Sequence, residues 1–189
     1  MTAQTLPALM PSIQFAPQTL LRAQSVRVLF LDVDGILTDG GLFFSESGET
    51  LKRFNTLDGH GIKLLMRAGI TPVVISGRNS AALRTRLQQL GVEHAVLGTE
   101  DKLPAAQQLL NQLQLDWSQA AAMGDDWPDL PVMRRCSLAV TTPQAHAEVL
   151  HVAHHLTQVT GGNGAVRECC DLILVATGHY HRLLQEVAQ

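Results

Sequence analysis

Seven residues combine types and spacings that can do chemistry: Asp32 and Asp34, then Ser76, then Lys102, then Asp125, Asp126 and Asp129. Each group follows a short apolar run or opens the helix after one, so a parallel sheet would bring all of them to one edge. Carboxylates gathered there repel one another unless a cation neutralises them, and an all-oxygen donor set selects magnesium over zinc or copper. A phosphate completes the charge balance. Ser76 can donate a hydrogen bond to a phosphoryl oxygen and Lys102 can offset its charge. Taken singly the signals are weak. Asp-x-Asp-Gly also turns a hairpin, a serine after a strand also caps a helix, and a lone lysine is commonly solvated.

The elements that must position these residues are legible as apolar runs and caps. Residues 28–31 (Val-Leu-Phe-Leu) are too short for a helix and read as a fully buried parallel strand, with Asp32 and Asp34 at its carboxyl end. Ligands bind at that edge of open α/β sheets, and alternation along the strand is expected to put both carboxylates on one side. Residues 71–76 repeat the pattern and lead to a helix running to Gly91. A strand at 95–97, a helix from Lys102 through Leu113 and a strand at 120–123 follow. A short helix at 130–135, a strand at 137–140, a helix near 145–150 and a last helix from 166 to about 178 complete the count. Strands alternating with helices of this length predict a Rossmann-like, doubly wound, mainly parallel sheet flanked by helices in one domain. Residues 42–54 read as a hairpin flap around the Gly48 turn, Asp58 as the cap of the next helix, and residues 1–24 as a loose tail with a short lead-in helix at Pro17.

Composition excludes several functions. A formal charge of -3, 16% charged residues and no basic run give no electrostatic footprint for nucleic acid. No apolar run approaches the ~20 residues of a membrane span, and the first residues lack a signal peptide's basic flank, so a cytoplasmic chain is expected. Three cysteines, two of them adjacent, make no disulfide framework. His151, His154, His155, His179 and His181 are close in sequence but far from the strand ends, and are expected to be surface residues rather than ligands.

In this order the four strand-end motifs resemble those of the haloacid-dehalogenase-like phosphohydrolases, across the chain from Val26 to the C-terminal helix. The resemblance implies that Asp32 is a nucleophile forming an aspartyl-phosphate and that Asp34 is the acid, then the base. It also implies magnesium held by Asp32, by Asp34 through its backbone carbonyl, and by Asp125. Asp126 and Asp129 would orient metal-bound water and Lys102. Larger members insert a cap domain between motifs. Here 44 positions separate Asp32 from Ser76 and 26 separate Ser76 from Lys102, which leaves no room for one.

An open site needs another lid. The hairpin and the 161–167 loop are expected to serve, as in the small capless subclass that includes the 3-deoxy-D-manno-octulosonate 8-phosphate phosphatases of lipopolysaccharide precursor synthesis. The likeness rests on Thr38-Asp39-Gly40, Phe54-Asn55-x-x-Asp58-Gly59-x-Gly61, Ser76-Gly77-Arg78, Gly124-Asp125-Asp126 and Gly161-Gly162-x-Gly164-Ala165-Val166-Arg167-Glu168. It implies a homotetramer in which a neighbour's segment around Gly161 to Arg167 reaches the active site. Substrate contacts are expected from Asp34, Asn55, Thr56, Asp58, Gly59, Lys63, Gly77, Arg78, Arg86 and Lys102, the basic residues meeting the second anionic group of a sugar acid phosphate. Related phosphatases of nine-carbon, sialic-type acids typically carry Glu at the position of Arg78 and Lys at that of Gln89, so this chain leans to the eight-carbon acid. The other reading is a non-catalytic tetramerising module. A scaffold would have no chemical reason to keep Asp32, Asp34 and Asp125 together.

Overall fold

In a computed structural model of the chain, residues 9–46 and 48–188 are described. Helix α1 (Pro17–Ala23) leads into strand β1 (Val28–Leu31), and a separate antiparallel hairpin of β2 (Phe43–Ser45) and β3 (Gly48–Leu51) forms the flap. After α2 (Thr56–Arg67) the βα rhythm begins: β4 (Thr71–Ser76), α3 (Ala81–Leu90), β5 (His94–Leu97), α4 (Lys102–Leu113) and β6 (Ala120–Met123). A 3-10 turn (Trp127–Asp129), α5 (Leu130–Met133), β7 (Leu138–Thr141), α6 (Ala147–Val152), β8 (His155–Leu156), α7 (Ala165–Ala176) and α8 (Tyr180–Ala188) finish the chain.

The main sheet is parallel throughout, in the order β5-β4-β1-β6-β7-β8. From β1 the chain winds outward through β4 to β5, then crosses back to lay β6 on the other side of β1. The crevice of such a sheet opens where winding reverses, here at the carboxyl ends of β1 and β6. Alternation along β1 feeds two cores. Leu29 and Leu31 join α2, α3 and α7 on one face, while Val28 and Phe30 join α4, α5 and α6 on the other. Burial on both faces explains why β1 and β6 read as unbroken apolar runs.

Local rules set the helix ends. Ser80 accepts the Leu83 N–H at 3.2 Å to start α3, and Gly91 ends it with φ +80°, a left-handed position that a residue with a Cβ adopts only with strain. For α2 the cap is Asn55, which accepts the Leu57 N–H at 2.8 Å, and not Asp58. Asp58 sits one turn in, buried, and accepts the Arg167 N–H at 2.8 Å, so it caps the N-terminus of α7 from another helix. Gly164, at the start of α7, has no side chain to do so.

Other boundaries also differ from expectation. The flap strands are shorter than 42–54, and Ser47 in their turn lies outside the described residues. Of the expected tail, residues 1–8 lie outside the described residues, and 9–15 carry no regular structure. The helix expected to end near 178 does so, and beyond Gly178, φ +78°, a further helix, α8, follows that was not expected. The three cysteines are free and buried. His154 and His155 are half-buried rather than solvated: His154 Nδ1 accepts the Ala139 N–H at 2.9 Å, and His155 Nε2 lies 2.9 Å from Glu168 Oε1. Among the described residues no helix is long and apolar enough to cross a membrane.

Candidate active site

The carboxyl ends of β1, β4 and β6 and the start of α4 converge on an open cleft of about 390 Å³ lined by Asp32, Asp34, Ser76, Arg78, Lys102 and Asp125, among others. Asp32 is the first residue past β1, and its N–H donates to Met123 O of β6 at 3.0 Å, which ties it to the neighbouring strand end. Lys102 Nζ donates to Asp32 Oδ1 at 2.6 Å and to Asp129 Oδ1 at 2.7 Å, with its side chain 7% exposed. The other oxygen of Asp129 accepts the N–H groups of Asp125 at 3.1 Å and Asp126 at 3.3 Å. Both oxygens of Asp129 are therefore engaged, and its work is to hold Lys102 and the loop after β6. Asp126 caps the 3-10 turn by accepting the Trp127 N–H at 2.8 Å.

Two glycines make the close approach possible. Gly35 has φ +88°, and a Cβ there would lie 1.9 Å from Asp125 Oδ2. A Cβ at Gly124 would lie 2.3 Å from Cβ and Cγ of Asp129.

Asp32, Asp125 and Asp129 each offer a carboxylate oxygen, and these lie within 4.8 Å of one another. Burial, then the charge of Asp129, lifts Asp32 to about 6 against the partial offset of Lys102. Burial, then Asp32 and Asp129, lifts Asp125 to about 7. Burial pulls Lys102 down, but Asp32 and Asp129 outweigh it and hold the ammonium above its ordinary value. A partly buried, oxygen-only cluster carrying this much negative charge fits a hard divalent cation such as magnesium, with Asp32 and Asp125 as the side chains free to serve it.

Asp34 shares the cleft with Asp32. It lies beyond the strand in the turn that includes Gly35, so strand alternation does not set its direction, and its carboxylate is not part of the three-carboxylate cluster. Lys52 Nζ of the flap region donates to Asp34 Oδ1 at 2.5 Å, and Arg78 Nε lies 3.5 Å from Oδ2. Lys52 also pairs with Glu49 Oε1 at 2.8 Å, and its side chain is 1% exposed. Sequence reasoning missed this pair, because a charged residue at the end of a hairpin reads as solvated. The available signal was the three-residue spacing of Glu49 and Lys52 in a flap placed next to the Asp32 edge.

Among the expected substrate contacts, Gly77 and Arg78 line the cleft, Arg78 with its side chain 46% exposed. Ser76 Oγ lines it too and accepts the Arg78 N–H at 3.2 Å. Asp34 and Lys102 line it as well, whereas Asn55, Thr56, Asp58, Gly59, Lys63 and Arg86 do not. Arg86 donates to Asn55 O at 3.2 Å and lies over the Phe54 ring, a Cβ at Gly59 would meet that guanidinium at 2.4 Å, and Thr56 and Lys63 are exposed on α2. The 161–167 segment is likewise held within its own chain. A Cβ at Gly161 would lie 1.8 Å from Gly35 O, and the Gly162 N–H donates to Ile36 O at 3.0 Å. These contacts buttress the loop after β1 of the same chain.

Residues 98–168 match the model of the haloacid dehalogenase-like hydrolase family. The 3-deoxy-D-manno-octulosonate 8-phosphate phosphatase KdsC of Yersinia pestis is 44% identical over 161 residues, covering 85% of this chain and 86% of that one. The chain belongs to this phosphatase family. A crystal structure of the Yersinia pestis phosphatase aligns with a TM-score of 0.85 at 42% identity, covering 88% of this chain and 90% of that one. The Moraxella catarrhalis 3-deoxy-D-manno-octulosonate 8-phosphate phosphatase, solved with magnesium, phosphate and the sugar acid bound, aligns with a TM-score of 0.87 at 36% identity, covering 91% and 98%.

Proposed function

We infer that the chain is a magnesium-dependent phosphomonoesterase that hydrolyses 3-deoxy-D-manno-octulosonate 8-phosphate to the free sugar acid and phosphate, a step of lipopolysaccharide precursor synthesis. The observation that carries the reading is the Asp32, Lys102, Asp129 and Asp125 arrangement at one sheet edge in a chain 44% identical to such a phosphatase.

Asp32 attacks phosphorus through a carboxylate oxygen while the bond from phosphorus to the sugar oxygen breaks, leaving an aspartyl-phosphate. Asp34 gives its proton to the departing alkoxide. It then takes one from the water that attacks the acyl phosphate, which returns Asp32 and frees inorganic phosphate. Lys102 and Ser76 hold phosphoryl oxygens, and Asp129 keeps Lys102 in place. Asp32, the Asp34 carbonyl and Asp125 are the groups to hold magnesium, which supplies charge neutralisation to the phosphoryl group when bound. Arg78, exposed at the cleft rim, receives the sugar carboxylate, and its identity together with Gln89 favours the eight-carbon over the nine-carbon acid.

The assembly we propose is a homotetramer joined through the flaps. Phe43 is 50%, Phe44 64% and Leu51 65% exposed, large apolar side chains on a two-stranded sheet too small to stand alone. The deciding experiment is phosphate release from eight- and nine-carbon sugar acid phosphates, with magnesium and with chelator. Release from the eight-carbon ester that needs magnesium and disappears in Asp32→Asn supports the reading, and equal release by Asp32→Asn overturns it.

A further inference from the structure

We propose that Lys52 and Glu49 are positioning residues for the acid-base step, so that the flap sets the orientation of Asp34. Lys52 follows β3 directly, yet its side chain is almost wholly buried, and its ammonium spans Asp34 Oδ1 at 2.5 Å and Glu49 Oε1 at 2.8 Å. A buried ammonium is costly unless paired, and these two carboxylates are its partners. Glu49 also reaches Arg78, 4.0 Å between Oε2 and Nη1, and Arg78 Nε lies 3.5 Å from the other oxygen of Asp34. The four charges thus form a closed ring that joins the flap, the loop after β1 and the loop after β4.

Within the ring the two oxygens of Asp34 differ. Oδ1 accepts from Lys52 and, at 3.4 Å, from Thr38 Oγ1. Oδ2 is the oxygen left to exchange a proton with substrate. An acid-base carboxylate is effective only when the working oxygen is held within hydrogen-bond reach of the leaving group, and here the hold comes from a hairpin that is otherwise outside the main sheet. Lys52 touches neither the reacting atoms nor the three-carboxylate cluster, so its effect passes through Asp34.

The proposal rests on the phosphatase reading above, and leaving-group chemistry separates the two. Breaking the ester bond to a sugar alkoxide needs a proton from Asp34; breaking the bond to 4-nitrophenolate does not. In kcat/KM, which reports the steps through phosphoryl transfer to Asp32, Lys52→Met is expected to lose about 30-fold or more on the sugar acid phosphate, a large part of the roughly 10²–10⁴-fold that an acid-base group supplies, and less than about 3-fold on 4-nitrophenyl phosphate. Lys52→Arg is expected to recover part of the loss, and Glu49→Gln to show the same selectivity more weakly. Equal losses on both esters, or none on either, would overturn the proposal while leaving the phosphatase reading intact. A wild-type protein that releases no phosphate from either ester would overturn both.

Discussion

At the residue scale Asp32, Asp34, Lys102 and Asp129 stay close because each has a partner of opposite charge. Replacing Lys102 with Met leaves Asp32 and Asp129 facing each other without the ammonium that now lies 2.6 and 2.7 Å from them. We expect phosphate release to fall by about 100-fold or more and magnesium to bind more tightly as uncompensated negative charge accumulates, measurable by single-turnover kinetics and calorimetry. Gly35→Ala meets two obstacles at once, a left-handed backbone and the Asp125 carboxylate. It should cost roughly 1–3 kcal/mol in urea unfolding and abolish activity together, because the carboxylate it displaces is a proposed magnesium ligand. Legibility was high here for Asp32, Ser76, Lys102 and Asp125, since each ends an apolar run or opens a helix. It was low for Lys52, whose partners are brought together only by the fold of the flap.

At the element scale the crossed capping of α7 is the feature that sequence could not display. Asp58 lies on α2 and the N–H it accepts lies on α7, 109 positions away, so no local pattern links them. Read locally, Asp58 three residues after Asn55 looks like a cap or a ligand. In the fold it is buried against α7, and burial raises its carboxyl despite the N–H groups of Arg167, Gly164 and Val166. Asp58→Ala should lower stability by about 1–2 kcal/mol in urea unfolding, with Asp58→Asn closer to wild type because an amide oxygen also caps. Strands β1, β4, β5, β6 and β7, with α3 and α4, by contrast, were readable to within about a residue or two, because apolar runs and Gly91 are local signals. The end of α7 near Gly178 was legible, but α8 beyond it went unread.

At the scale of the whole molecule the acidic cluster couples folding to pH and to metal. Asp32 and Asp125 hold protons in the folded state up to about 6 and about 7, whereas unfolded carboxyls release theirs near 4. Stability of the metal-free protein through these groups is therefore lost as pH rises from about 4 through 7. Magnesium relieves the repulsion at the high end, so the rise in Tm on adding it should be larger at pH 8 than at pH 5.5. Asp125→Asn should flatten that difference, and an equal rise at both pH values would contradict it. The flaps give a second test at this scale. Phe43→Ser with Phe44→Ser should lower the mass seen by light scattering while the far-UV spectrum stays unchanged.

The placement of β1 between β4 and β6 also shapes how the chain reaches its native state. The residues proposed to attack and to bind metal, Asp32 and Asp125, are 93 positions apart in sequence but meet across adjacent strands. At about 5–20 residues per second a ribosome needs roughly 5 to 20 s to deliver β6 after β1 has emerged. Throughout that interval one edge of β1 lacks its partner, and no nascent chain can bind the ion or turn over the ester. Acquisition of magnesium is consequently a reporter that β6 has paired with β1, and the same interval is when a holdase would find its binding site.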